Sequence, residues 1–201
     1  MKKFSFKGIK FVSGNYREIK KEFDRGGVLV APAASALANI DNDKKYYSAL
    51  KQSNIAILDS GFFCILLRIF KLRKVKKLSG YLFLKTFLEN YKNQNKIFFI
   101  DPSKKSSFLN SIYLKSQKIF NFNSYIAPNY NGHFFDLKLI KLLKKYKPRY
   151  IIINLGGGSQ EPLAIFIKKK IKFKSSIMCT GAAIAFMTGE QAPINKFIDK
   201  I

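Results

Sequence analysis

The feature that most constrains this chain is a run of short apolar segments, each closed by a polar or turn-forming residue and each followed by a stretch with helical spacing. Gly27-Val28-Leu29-Val30-Ala31-Pro32 is the first. Asn54-Ile55-Ala56-Ile57-Leu58-Asp59, Lys96-Ile97-Phe98-Phe99-Ile100-Asp101-Pro102 and Ser124-Tyr125-Ile126-Ala127-Pro128 follow. Tyr150-Ile151-Ile152-Ile153-Asn154 and Ser176-Ile177-Met178-Cys179-Thr180 complete the set. Apolar runs of this length are buried strands, and a fully apolar run such as 150–153 is buried on both faces. The intervening segments read as helices over 34–52, 62–72 and 80–92, and after the caps Ser103 and Asp136. After Asp136, Leu139, Leu142, Leu143 and Tyr146 recur at helical spacing and Pro148 ends the helix. Strand–helix alternation predicts an α/β, Rossmann-like, mostly parallel sheet of about six strands with helices on both faces. The length fits a single domain over 1–201.

In such sheets ligands bind beyond the carboxyl ends of the strands. Every unusual residue group falls there: Pro32 to Ser35, Asp59, Asp101-Pro102, Pro128-Asn129-Tyr130, Gly156-Gly157-Gly158-Ser159-Gln160-Glu161 and Thr180-Gly181. A carboxylate ending a strand, as at Asp59, is held rigidly and suits a general base; it also suits a structural acceptor. A glycine-rich turn opening a helix offers unpaired amides to a phosphate. The Gly156 turn lacks the Gly-Lys-Ser/Thr of a P-loop and the spacing of a dinucleotide fingerprint. Glu161 in the first helical turn also complements the helix dipole.

Other chemistries are disfavoured. His133 is the only histidine, and no Gly-x-Ser-x-Gly elbow occurs, so neither a structural zinc site nor a serine triad is expected. Cys64 and Cys179 lie in apolar runs and read as buried free thiols of a reducing compartment. No Asp-x-Asp pair is read as holding a metal for a donor diphosphate, so metal-free transfer is the expectation. No apolar run is long enough to span a bilayer, which needs about 18 residues or more. The N-terminal Met1-Lys2-Lys3 start fails as a signal peptide because Lys7, Lys10 and Arg17 interrupt it. The net charge of +25 favours polyanions: phosphorylated substrates, acidic lipid or nucleic acid. The basic run Lys71, Arg73, Lys74, Lys76 and Lys77 is either a solvated face or a contact for diphosphate and anionic lipid. The abundant Lys, Ile, Asn and Phe also fit a compositional bias, so charge alone does not select the partner.

At Asp59 and its glycine-flanked turn, Lys77-Leu78-Ser79-Gly80, Gly156 to Glu161, Cys179 to Phe186 with Gly189, and Ala192-Pro193, the sequence resembles the WecG/TagA/CpsF glycosyltransferase family. The likeness runs over about 26–198. It implies inverting transfer from a UDP-sugar to a polyprenyl-diphosphate-linked acceptor, in surface polysaccharide or teichoic acid linkage-unit synthesis. It also implies a place on the cytoplasmic face of the membrane, against an anionic surface, with a homo-oligomer possible and no nucleic acid partner. On the resemblance, Asp59 is the catalytic base. Lys77 stands where the family has Arg near the diphosphate, and Gln160 contacts sugar or acceptor. Ser79, Gly80, Asn129, Tyr130, Gly156, Gly157, Gly158, Glu161, Thr180 and Gly181 complete the expected substrate-binding set, with no metal and no cofactor beyond the donor.

Three departures shape these expectations. Ala31 and Ala33 replace a Thr-x-Asn that ends the family's first strand, which puts the donor sugar in question more than the reaction. Lys77 keeps the charge of an arginine and loses its bidentate fork. Relatives continue with a Gly-Leu-x-Trp-x-x-Arg segment and a basic tail, so weak activity is expected of residues 1–201 alone. Two alternatives stand beside the enzyme: a basic α/β nucleic-acid-binding module, and a catalytically weakened, membrane-docking relative.

Overall fold

Each expected strand forms, and all join one sheet in the computed structural model, which describes residues 1–69 and 75–192. In chain order the strands are β1 (Lys2–Phe6), β2 (Ile9–Ser13), β3 (Gly27–Val30), β4 (Ile55–Ile57), β5 (Ile97–Asp101), β6 (Phe122–Ile126), β7 (Tyr150–Ile153) and β8 (Ser176–Cys179). Their spatial order is β1-β2-β4-β3-β8-β7-β5-β6. Only β1 with β2 is antiparallel; every other pairing is parallel.

The sheet therefore has eight strands rather than about six. The additions are the N-terminal hairpin, whose lysines had broken the apolar pattern of a leader. Phe4 and Phe6 pack inward while Lys3 and Ser5 stay exposed, an edge-strand alternation rather than a buried run. Lys7 (φ 47°) and Gly8 (φ 73°) both adopt positive φ, as a two-residue hairpin turn requires.

The helices are α1 (Tyr16–Phe23), α2 (Ala34–Ala38), α3 (Lys44–Gln52), α4 (Gly61–Ile69), α5 (Gly80–Glu89), α6 (Lys104–Ser116), α7 (Leu137–Tyr146), α8 (Gln160–Lys170) and α9 (Ala183–Thr188). The single helix expected over 34–52 is broken. A 3-10 turn at Ile40–Asn42 intervenes, and Asp43 restarts the chain by accepting a hydrogen bond from the Tyr46 N–H. Asn39, Asp41, Asn42 and Asp43 are residues whose side chains compete with a continuing helix for backbone bonds. Lys71, Arg73, Lys74 and Pro193, named from the sequence, lie outside the described residues.

Successive residues of each central strand feed opposite cores. Ile151 and Ile153 join Val28, Val30, Phe98, Ile100 and Cys179 with α3, α4, α7 and α8 on one face. Tyr150 and Ile152 join Leu29, Ile97, Phe99 and Met178 with α1, α5, α6 and α9 on the other. Steps toward β1 (β3 to β4, β6 to β7, β7 to β8) carry first-face helices. Steps toward β6 (β2 to β3, β5 to β6, and β4 to β5 through α5) carry second-face helices. The crossovers thus share one hand, as parallel units require. β8 breaks this regularity at the middle of the sheet: it lies between β3 and β7, whose following helices cover the first face, yet it continues into α9 on the second. The loops part at that point and open a crevice at the strands' carboxyl ends.

Candidate active site

The crevice holds a cavity of about 370 Å³ lined by Asp59, Lys77, Ser79, Gly157, Gln160, Glu161, Thr180 and Gly181, with Ala31, Ala33, Tyr46, Tyr81 and Phe186 among the other walls. Eight residues expected from the sequence therefore share one space. A second lobe of about 460 Å³, lined by Ala33, Ala34, Ser35, Ser60, Gly61 and Phe62, shares Asp59 and Lys77 with the first. Asp59 thus stands at the junction of two cavities.

Asp59 follows β4 and is half-buried. Its Oδ1 accepts the Gly80 N–H at 2.7 Å. Gly80 opens α5, whose N-cap Ser79 accepts from the Leu82 N–H at 3.1 Å. The carboxylate is therefore held at a helix amino terminus, where negative charge is favoured. This close approach needs glycine: a Cβ at position 80 would lie 2.9 Å from the Ala31 Cβ and 3.5 Å from the Thr180 Cβ.

On the opposite wall, the turn after β7 is held by Glu161. Gly158 adopts φ +84°, and its N–H donates to Glu161 Oε2 at 2.8 Å. Gln160 Nε2 donates to Glu161 Oε1 at 3.0 Å, and Gln160 Oε1 accepts the Gly181 N–H at 3.0 Å. These bonds tie the loop after β7 to the loop after β8. Glu161 is 1% exposed, and burial pushes its carboxyl up to about 7 against the hydrogen bonds that favour its charge. The Thr180 Oγ1 is buried without a hydrogen-bond partner, so it has a bond to offer a ligand.

The remaining expected residues sit elsewhere. Gly156 lines a neighbouring cavity of about 300 Å³ with Ser106, Asn110, Asn154 and Glu190. Asn129 and Tyr130 line neither lobe. The Asn129 side chain accepts the Asn131 N–H within its own turn. The Tyr130 hydroxyl donates to Asp136 Oδ2 at 2.9 Å, beneath the cap of α7. Asp101 is wholly buried, and its Oδ1 accepts from Asn110 and Asn154, joining β5 to α6 and the end of β7.

Tyr46 was not singled out from the sequence, because it lay inside an apparently continuous helix. The Asp43 break brings it into the cavity, and burial, ahead of the nearby Glu161 charge, raises its hydroxyl well above the usual tyrosine range. The same segment corrects the reasoning about metals, since Asp41-Asn42-Asp43 does have Asp-x-Asp spacing. Its carboxylates diverge in use. Asp41 accepts from Lys7 Nζ at 2.5 Å, and Asp43 caps α3. Among the described residues no group of three or more His, Cys, Asp or Glu side chains could hold a metal ion.

Another cavity, of about 570 Å³, is at the other end of the sheet, between α1 and the end of α5. No carboxylate lines it, and its Lys20 is paired with Asp24 at 2.6 Å.

Compared with known proteins, residues 7–201 match the model of the Glycosyl transferase WecG/TagA/CpsF family. No curated protein matches the chain.

Proposed function

Because the chain belongs to the WecG/TagA/CpsF glycosyltransferase family, a family of surface polysaccharide synthesis, we propose that it moves a sugar from UDP to a polyprenyl-diphosphate-linked acceptor with inversion. Asp59 is the base in this reading. Its carboxylate takes the proton of the acceptor hydroxyl as that oxygen bonds to the anomeric carbon. The bond from that carbon to the diphosphate breaks, UDP leaves with the electron pair, and the proton passes from Asp59 to solvent. The observation that carries the reading is that Asp59 lines both lobes. The inner lobe takes the donor and the outer lobe the acceptor.

The other residues have matching tasks. Lys77, common to both lobes, supplies positive charge toward the leaving diphosphate. The turn at Gly157 brings backbone N–H toward phosphate oxygens, while the Gly158, Ser159 and Gln160 amides are bonded to Glu161 and Gly156 and hold the turn's shape. Thr180 Oγ1 and the Tyr46 hydroxyl face the sugar. Gln160 positions the two loops, since both ends of its amide are bonded within the protein. Ala31 and Ala33 line the inner lobe without polar atoms, which favours a donor sugar with fewer hydrogen-bonding groups on that side. Charge from side chains is proposed to replace a metal, and retained turnover in EDTA checks this. The reaction is proposed to run at the cytoplasmic membrane face, where a lipid-linked acceptor would be reached.

The test pairs binding with turnover. UDP is expected to raise the thermal midpoint of wild type and Asp59→Asn alike, because Asn keeps an acceptor for the Gly80 N–H. Transfer by Asp59→Asn should fall about 10²- to 10⁴-fold, the usual contribution of a general base. Wild-type turnover by the variant would remove Asp59 from the mechanism. No protection by UDP and no turnover of any UDP-sugar would remove the donor class.

A further inference from the structure

Around the carboxyl ends of β5 and β7, three buried side-chain oxygens have no hydrogen-bond partner among the described residues: Asp101 Oδ2, Asn110 Oδ1 and Asn154 Oδ1. Their residues are 0%, 2% and 6% exposed. Buried polar atoms are nearly always paired, so three together call for a common cause. The bonds that do form bring them together. Asn110 Nδ2, from α6, and Asn154 Nδ2, just past β7, both donate to Asp101 Oδ1, at 2.9 and 2.7 Å. Each amide oxygen shares a carbon with the nitrogen that bonds Asp101, so both lie close to the carboxylate. Turning either amide over would set oxygen against oxygen, which fixes their orientation. The Ser107 hydroxyl, which also bears on the carboxylate, donates to Ser124 Oγ at 2.9 Å. Asn110 and Asn154 line the cavity of about 300 Å³ beside the crevice. Glu190 lines it too, and its Oε1 accepts from the Ser106 hydroxyl at 2.9 Å. Burial, and Glu190 more weakly, push the Asp101 carboxyl up against the hydrogen bonds that favour its charge. The chain has 37 Lys and Arg residues, yet among the described residues none lines this cavity.

We infer that Asp101, Asn110 and Asn154 hold a hard divalent cation, with Glu190 as the second negative charge at the cavity. Protonation of Asp101 does not account for the free oxygens, because Oδ2 has no acceptor to receive its hydrogen. Water pairs oxygens but cancels no charge, and a buried carboxylate without a counter-charge is costly. A cation meets both needs. Carboxylate and amide oxygens are hard ligands, suited to Ca²⁺ or Mg²⁺ rather than to metals that prefer thiolate or imidazole. The four residues come from the end of β5, α6, the residue after β7 and the segment after α9, so one ion ties together four separate parts of the chain. Gly156 lines this cavity and Gly157 the inner lobe, so the ion stands behind the glycine turn and steadies it. None of the four residues lines either lobe at Asp59, which keeps the ion apart from the reacting groups.

The experiment uses the full chain, treated with EDTA and dialysed. Its thermal midpoint is followed in CaCl₂ and in MgCl₂, at an ionic strength held constant with choline chloride, and calorimetric titration counts the ions bound. One ion per chain is expected, with the midpoint raised by about 5 °C or more once the ion exceeds its Kd about a hundredfold. Asp101→Asn keeps an oxygen for both amide nitrogens and removes the charge. In EDTA its midpoint should be no lower than that of wild type, and the response to the ion should be lost. Glu190→Gln should raise the Kd several-fold. A wild type indifferent to both ions would overturn the inference. So would a response with the same Kd in both variants, which would put the ion elsewhere. Should Asp101→Asn fail to fold, the Kd of Glu190→Gln decides alone. Neither measurement needs a donor or an acceptor, so loss of the UDP-sugar reading would show in turnover and leave this result standing.

Discussion

Replacing Gly80 by alanine tests whether the ends of β3 and β4 and the start of α5 converge as tightly as the site requires. The new methyl would lie 2.9 Å from the Ala31 Cβ, with Thr180 carbons at an ordinary 3.5 Å. Apolar carbons rest at about 3.5–4.0 Å, so the start of α5 or the end of β3 must move by about 0.6–1 Å. Overpacking of this size costs about 1–3 kcal/mol, and alanine's better helix propensity returns up to about 1 kcal/mol. The expected net loss in Gly80→Ala is about 1–2 kcal/mol, measured by urea unfolding. The sign should reverse when the obstacle is removed: in an Ala31→Gly background the same substitution has room and should be neutral or stabilising by up to about 1 kcal/mol. The coupling between the two positions is then about 1–3 kcal/mol, within the range found for residues in contact. Turnover should follow, because the Gly80 N–H that bonds Asp59 moves with α5. Transfer should fall in Gly80→Ala and recover in the double variant. A coupling below about 0.5 kcal/mol, the level of independent sites, would refute the convergence of β3, β4 and α5 at Asp59.

Two further perturbations separate the site from its surroundings. The Glu161 carboxyl, raised from 4.5 to about 7 by burial, keeps a proton in the fold that the unfolded chain has released. Stability should therefore fall as pH rises from about 4.5 to about 7, by up to about 3 kcal/mol, and stay level above that. In Glu161→Gln the component of the slope due to this group should vanish, while a constant loss remains because the new amide faces the Gln160 amide nitrogen. Urea midpoints at both ends of the window check this, and equal slopes in the two proteins would dismiss it. Tyr130→Phe should cost about 1 kcal/mol for its hydrogen bond to Asp136 and leave KM for the donor and kcat unchanged; a KM raised several-fold would return Tyr130 to the binding site.

The central strands were legible because burial on both faces leaves them apolar throughout, and a run such as 150–153 needs no partner to be recognised. The hairpin was not legible. Its first strand is an edge with one face in water, so Lys2, Lys3 and Ser5 interrupt the pattern, and its turn depends on a positive φ at a lysine. The break at Ile40–Asn42 did leave a signal, a cluster of Asn and Asp between two apolar stretches. The lysine- and tyrosine-rich continuation masked it. For the site, topology did most of the selecting. Any polar group at a carboxyl strand end falls near the crevice, which is why Asp59, the Gly157 turn and Thr180 were found together. Asn129 and Tyr130 satisfy the same rule and still miss, because β6 is the far edge of the sheet and the crevice opens at β8.

What the sequence could not show was how two carboxylates in one cavity divide their work. Both Asp59 and Glu161 follow strands and have a glycine two or three residues away, Gly61 and Gly158, so spacing by itself does not divide their roles. Their surroundings differ. Glu161 is buried, and the Gly158 N–H and the Gln160 amide each donate to one of its oxygens, so both oxygens are already engaged in joining two loops. Asp59 sits half-buried at the amino end of α5, where its charge is favoured by the helix, and it borders both the space for a donor and the space for an acceptor. A base must reach its proton before it can be tuned to take it. On that criterion the group at the junction is the base, and the buried glutamate keeps the walls of the cavity in register around it.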